Sequence, residues 1–182
     1  MRSDKQVDMI TDYVTGKQVP DSGAEANRQA VERVLVDQKG YARSDIAVDM
    51  PVSFFAAGEK YCSAVDLVVF AEKQPFMVIK CAAGSLDSRK KEAISAARIL
   101  FDHVVPYAAA SDGTTALVFD TATGKQIGEG LEALPDAQKA KELISKAAPF
   151  FLPEKRIEKE RIIFRSYDIM NINTCRTTKA GT

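Results

Sequence analysis

The chain has 182 residues, 46% of them hydrophobic and 27% charged, with Lys plus Arg equal to Asp plus Glu at 25 each. That length and composition describe an ordinary globular domain, and zero net charge excludes binding to nucleic acid through overall charge; contact with DNA would need a local basic patch. Three dispersed cysteines and a single histidine, His103, exclude a zinc site and fit a reducing, cytoplasmic setting.

The start, MRSDKQVDMI, lacks an apolar segment of signal-peptide length, and no run of residues approaches a membrane span. The first element expected is a helix from Ser22 to Gln38. Val31, Val34 and Leu35 recur at helical spacing, Gly40 supplies a stop, and Ser22 with Glu25 three residues on matches a capping box. Ile46, Val48, Met50, Val52 and Phe54 then alternate with small or polar neighbours, the period of a half-buried strand. After a turn at 56–60 come two continuous apolar runs, Val65 to Phe70 and Phe76 to Cys81, joined by 71–75. Such runs predict central strands covered on both faces.

A helix is expected from Asp87 to about Val104, with Ile94, Ala97, Phe101 and Val104 on one face and Arg89, Lys90 and Lys91 in its first turns. Tyr107 to Ala110 and Ala116 to Phe119 read as strands around an Asp112-Gly113 turn, and Thr123-Gly124-Lys125 forms another turn. Two helices follow Pro135, about 136–147 and 153–167, before a small polar tail at 174–182. The order predicts one α/β (α+β) domain over 1–182: a central mixed sheet flanked by helices, with a core at about 12–135 and a helical extension at about 136–170.

Several of these stretches resemble a known family. The run DYVTGKQVPDSGAEANRQAVERVLVDQKGY, the strand VDLVVF, the strand ending near Cys81, and SDGTTALVFDTATGK are similar, in order and spacing, to the N-terminal nuclease domain of type I restriction enzyme R proteins. That family belongs to the PD-(D/E)XK, or restriction endonuclease-like, superfamily. The resemblance implies a restriction endonuclease-like sandwich that hydrolyses phosphodiesters with Mg²⁺. It requires an Asp on one strand and, on the next, an acid and a Lys separated by one residue, so that both side chains share a face. A helix Glu often completes the set.

Matched position by position, Asp66 stands where the metal-binding Asp belongs and Glu25 where the helix Glu belongs. The strand that should read Glu-x-Lys reads Lys80-Cys81-Ala82. A site of the family's kind would thus use Asp66, Lys80 and Glu25 for catalysis, with Asp66, Glu25 and the Cys81 carbonyl as metal ligands and Arg89, Lys90 and Lys91 as phosphate contacts. Each has a plainer reading. Asp66 pairs with Lys80 on the adjacent strand, Glu25 serves the capping box, the Cys81 side chain fills the core, His103 is half-buried or capping, and the three basic residues form a solvated helix face.

Two functions follow. One is a nuclease-fold domain with impaired chemistry, kept for interaction with nucleic acid or with a protein of a restriction or defence system. The other is an active Mg²⁺-dependent endonuclease with a rearranged site, completed by Asp66, Glu25 and Lys80 or by another acid such as Asp49 or Asp87. An unrelated α/β binding protein is a third reading. This chain carries no G-x-x-x-x-G-K-[ST] phosphate loop, so ATP-driven translocation is not expected of it.

Overall fold

A computed structural model describes residues 8–171. A hairpin of β1 (Met9–Thr11) and β2 (Gln18–Pro20) precedes helix α1 (Gly23–Arg33), which continues as a π-helical stretch, Val34–Gln38. Ser22 caps α1, its hydroxyl accepting the Glu25 N–H at 3.2 Å, and Gly40 leaves the helix with φ 72°. The expected helix is therefore present over its full length, with a wider final turn closed by Lys39 N–H to Val34 C=O at 2.9 Å. That wider turn keeps Val34 and Leu35 both buried.

A six-stranded sheet forms the centre, in the order β3 (Ile46–Ala56), β4 (Glu59–Ala71), β5 (Gln74–Cys81), β6 (Tyr107–Ser111), β7 (Ala116–Asp120), β8 (Gln126–Glu129). Only β5 and β6 run parallel, joined by the crossover helix α2 (Asp87–Ile99). The two apolar runs do lie in the sheet interior. Both carry buried residues in two cores, one on each face. The first core joins Leu67, Val69, Met77 and Ile79 to α1 and to α3 (Ala137–Lys146). The second joins Val65, Val68 and Val78 to α2 and to α4 (Glu154–Asn171). This is the mixed-sheet α+β sandwich that the element order predicts.

Several boundaries differ from the sequence reading, among them the start of β4 at Glu59 rather than Val65 and the end of α4 at Asn171 rather than about 167. The β4–β5 link is a two-residue turn, with Glu72 and Lys73 at φ 49° and 63°, so Pro75 already belongs to β5. Pro75 precedes Met77, where pairing with β6 begins, and its missing N–H removes nothing from that ladder. Helix α2 ends at Ile99 rather than Val104. The Val105 N–H returns to the Ala97 carbonyl at 2.8 Å, and Pro106 biases Val105 away from helical backbone. The strand β8 and the β1–β2 hairpin are additions, short segments without a clean apolar alternation. The tail at 174–182 lies outside the described residues.

Helix α4 packs across α2 and reaches β3. Its Phe164 is fully buried, with ring centroids 6.0 Å from Phe54 and 6.5 Å from Tyr61. Arg98 of α2 meets Glu160 of α4 at 2.8 Å, and the Ser95 hydroxyl donates to the same carboxylate at 2.9 Å. The mixed charges of this helix thus conceal a buried contact face.

Candidate functional site

The adjacent strands β4 and β5 pair with Leu67 opposite Ile79, which sets Asp66 beside Lys80 and Cys81 at the end of the ladder. Asp66 Oδ2 accepts the Cys81 N–H at 2.8 Å and lies 3.4 Å from Lys80 Nζ. Lys80 has a second acid on its other side, Glu92 of α2, with Oε1 3.0 Å from Nζ. Arg89 lies 3.3 Å from the remaining oxygen of Glu92. Asp66, Lys80 and Glu92 are only 4%, 5% and 0% exposed. Burial pulls the Lys80 pKa down, but Asp66, Glu92 and Asp168 outweigh it and hold the ammonium above its ordinary range. Lys80 is a fixed positive charge.

Asp168 belongs to α4 and accepts the Tyr61 hydroxyl at 2.5 Å. Burial and this carboxylate raise the Tyr61 pKa, so the phenol stays a donor. Cys81 points into the first core as expected, and burial pushes its thiol well above the usual range, leaving it unreactive.

On the α1 side a second buried cation gathers acids. Arg28 lies 2.8 Å from Glu25, 3.0 Å from Asp12, 2.7 Å from Asp49 and 3.4 Å from Glu32. The Glu25 carboxylate also accepts from the Gln29 amide at 3.3 Å. The capping box is therefore one-sided: Ser22 caps the helix, while the Glu25 side chain turns to Arg28 because a buried guanidinium attracts it more strongly than a backbone N–H. Asn27 of α1 donates to the Ala82 carbonyl at 2.6 Å, tying the end of β5 to the helix.

Of the alternative acids, Asp49 falls between the strand pairs Val48–Leu67 and Met50–Val65, with φ 51°, and its carboxylate goes to Arg28. Asp87 is exposed in the first turn of α2. Of the basic trio, Arg89 and Lys90 are half-buried against the protein and Lys91 is exposed. Arg89 meets Glu92, Lys90 Nζ lies 5.3 Å from the Phe119 ring centroid, and Lys91 Nζ lies 5.5 Å from that of Tyr167. His103 is half-buried beyond the end of α2, with its ring edge toward Phe151.

The Mg²⁺ implied by the sequence resemblance does not fit these residues. A protein cation already engages each candidate acid ligand, Lys80 at Asp66 and Arg28 at Glu25. Among the described residues, no group of three His, Cys, Asp or Glu is arranged to hold a metal ion. Sequence reasoning finds the Asp66–Lys80 pair and misses Glu92, Arg28, Asp12, Glu32 and Asp168. The available signal for Glu92 is its place beside Ala93, Ala96 and Ala97, where an acid on the small, buried side of a helix needs a cation.

The fold and these two charged clusters define an α+β sandwich domain with one ionisable cluster on the α1 side of the sheet, around Arg28, and another on the α2 side, around Lys80. The sequence pattern of the type I restriction enzyme R protein N terminus matches residues 23–135, more than half of the chain, and the chain belongs to that family. The matched stretch runs from α1 through the sheet to the residues before α3. No curated protein and no solved structure matches the chain. Among the described residues, no helix is long and apolar enough to cross a membrane.

Proposed function

We propose that this restriction-related domain has a PD-(D/E)XK-type nuclease scaffold that no longer hydrolyses DNA and serves as an interaction module of a restriction system. One observation carries the proposal: the Lys80 ammonium lies between Asp66 and Glu92, at 3.4 and 3.0 Å. It supplies the positive charge that a catalytic metal would bring to Asp66. A divalent ion placed about 4 Å from that ammonium would be repelled by about 8 kcal/mol at an effective dielectric near 20. The domain accordingly works without Mg²⁺.

The rearranged-nuclease alternative needs Asp66, Glu25 and Lys80 to act together on a phosphodiester. Glu25 is engaged by Arg28, and the Lys80 cluster is buried, with Glu92 of α2 covering the lysine. The balanced net charge and the engagement of Arg89 with Glu92 and of Lys90 with Phe119 favour a protein partner over DNA. The test is cleavage of plasmid and single-stranded DNA in Mg²⁺ or Mn²⁺, alongside a gel-shift measurement. The expected outcome is intact DNA and weak, salt-sensitive binding. Cleavage that Asp66→Ala abolishes would overturn the proposal.

A further inference from the structure

Arg28 is 1% exposed and meets four carboxylates drawn from three elements: Asp12 of the β1–β2 hairpin, Glu25 and Glu32 of α1, and Asp49 of β3. Its single positive charge does not neutralise the three buried acids among them, Asp12, Glu25 and Glu32. Glu32 is the most enclosed of these, with no exposed surface, and its Oε1 has no hydrogen-bond partner. Its Oε2 accepts the Val14 N–H of the hairpin at 3.3 Å. The hairpin thus rests on α1 at two points of this cluster, Asp12 on Arg28 and Val14 on Glu32.

We propose that the β1–β2 hairpin is a proton-gated flap, held against α1 while Glu32 carries a proton and loosened when Glu32 ionises as pH rises. A neutral Glu32 still accepts the Val14 N–H, whereas an ionised one faces the Asp12 carboxylate across the same contact. The groups around Glu32 are Asp12 on the hairpin, Arg28 and Glu25 on α1, Asp49 on β3 and the neutral Cys81 thiol on β5. The hairpin's remaining clasp does not involve Glu32: the Tyr13 ring lies 4.4 Å from the Arg43 guanidinium and its hydroxyl donates to Asp37 at 2.6 Å. Loss of the proton therefore loosens the flap without releasing that end of it.

Burial and then Asp12 push the Glu32 carboxyl up to about 7, against a partial opposing effect of Arg28. An acid with a raised folded-state pKa stabilises the closed state most below its ordinary range. That contribution falls as pH rises through about 7. The proposal is independent of the one made for Lys80, since it involves neither metal nor hydrolysis.

The test measures amide hydrogen-exchange protection factors of the hairpin in the full chain, corrected for the intrinsic pH dependence of exchange. The amide of Val14, bonded to Glu32 Oε2 across the contact with α1, reports its closure. Between about pH 5.5 and 8.5 its protection should fall by about tenfold or more, while Glu32→Gln should hold its low-pH protection throughout. Equal protection at both ends in the wild type, or an unchanged fall in Glu32→Gln, would overturn the proposal. Should Glu32→Gln not fold, infrared spectroscopy of the wild type decides. A protonated-carboxyl band lost between the same two pH values supports the flap, and a spectrum without that band at the lower pH refutes it.

Discussion

The Lys80 ammonium and Glu92 Oε1 lie 3.0 Å apart, joining the end of β5 to the crossover helix α2 at a point that both leave closed to solvent. This contact places a lysine between acids from two different elements. Removing one member of a buried ion group leaves the others uncompensated, at a cost of about 3–5 kcal/mol. Lys80→Met should therefore lower stability in urea by that order, and adding Asp66→Asn and Glu92→Gln should recover part of the loss. A Lys80→Met protein as stable as the wild type would show that the acids are neutral in the fold and the cluster is not ionic.

Lys80→Glu tests the same charge logic in reverse. It replaces the fixed cation with an acid beside Asp66, Glu92 and Asp168, a concentration of negative charge that favours a divalent ion. The variant should be destabilised in EDTA and should regain stability in Mn²⁺ or Mg²⁺. Binding at about a hundredfold excess over its dissociation constant contributes about 2.7 kcal/mol. Wild-type melting should not respond to the ion. Scanning fluorimetry over a Mn²⁺ series reads both, and a Lys80→Glu midpoint indifferent to metal would count against Lys80 standing in a metal's place.

Most of the fold is legible in the sequence because its central elements carry strong, unambiguous periods. Val65 to Phe70 and Phe76 to Cys81 are too apolar to be anything but interior strands, and their adjacency brings Asp66 to Lys80. What escapes is partnership between distant segments. Glu92 lies on a helix whose pattern shows mostly small and charged residues, and nothing in its own neighbourhood indicates a strand lysine. Arg28 and its acids come from a hairpin, a helix and a strand, and only tertiary packing joins them. Helix α4 is misleading in a different way: alternating charges suggest an exposed surface, yet Glu160 and Asp168 face inward because Arg98 and Tyr61 receive them. Backbone effects such as the early end of α2 depend on Pro106 and on the return of Val105 to Ala97.

Phe164 is the apolar anchor of α4, set against Phe54 and Tyr61 with edge-on ring geometry. The rest of the helix is held largely by polar pairs: Glu160 to Arg98 and Ser95, Asp168 to Tyr61, and Arg165 to Glu59 at 2.6 Å. Truncating a buried phenylalanine costs about 3–5 kcal/mol. Phe164→Ala should lower global stability by that order and raise hydrogen exchange in α4 first, then around Lys80 and Glu92. Equal loss of protection over the whole sheet, with none specific to α4, would show that the helix does not open separately.

Gly113 gives a steric prediction that combines backbone and packing. It turns β6 into β7 at φ 87°, a left-handed conformation that favours glycine, and leans on α1 next to Asn27. A Cβ at this position would lie 2.9 Å from the Ala30 Cβ and 3.1 Å from the Asn27 carbonyl oxygen. Gly113→Ala therefore suffers both backbone strain and a clash, at a combined cost of about 1–3 kcal/mol. Because Asn27 also holds the Ala82 carbonyl, the displacement should reach the end of β5 and weaken protection of its last amides. Adding Ala30→Gly removes one of the two close contacts while leaving the Asn27 carbonyl and the strained φ in place, so it should restore the packing part of the loss and not the whole. Full recovery in the double variant would mean that the turn adopts its conformation freely and that the contact with Ala30 alone sets the requirement for glycine.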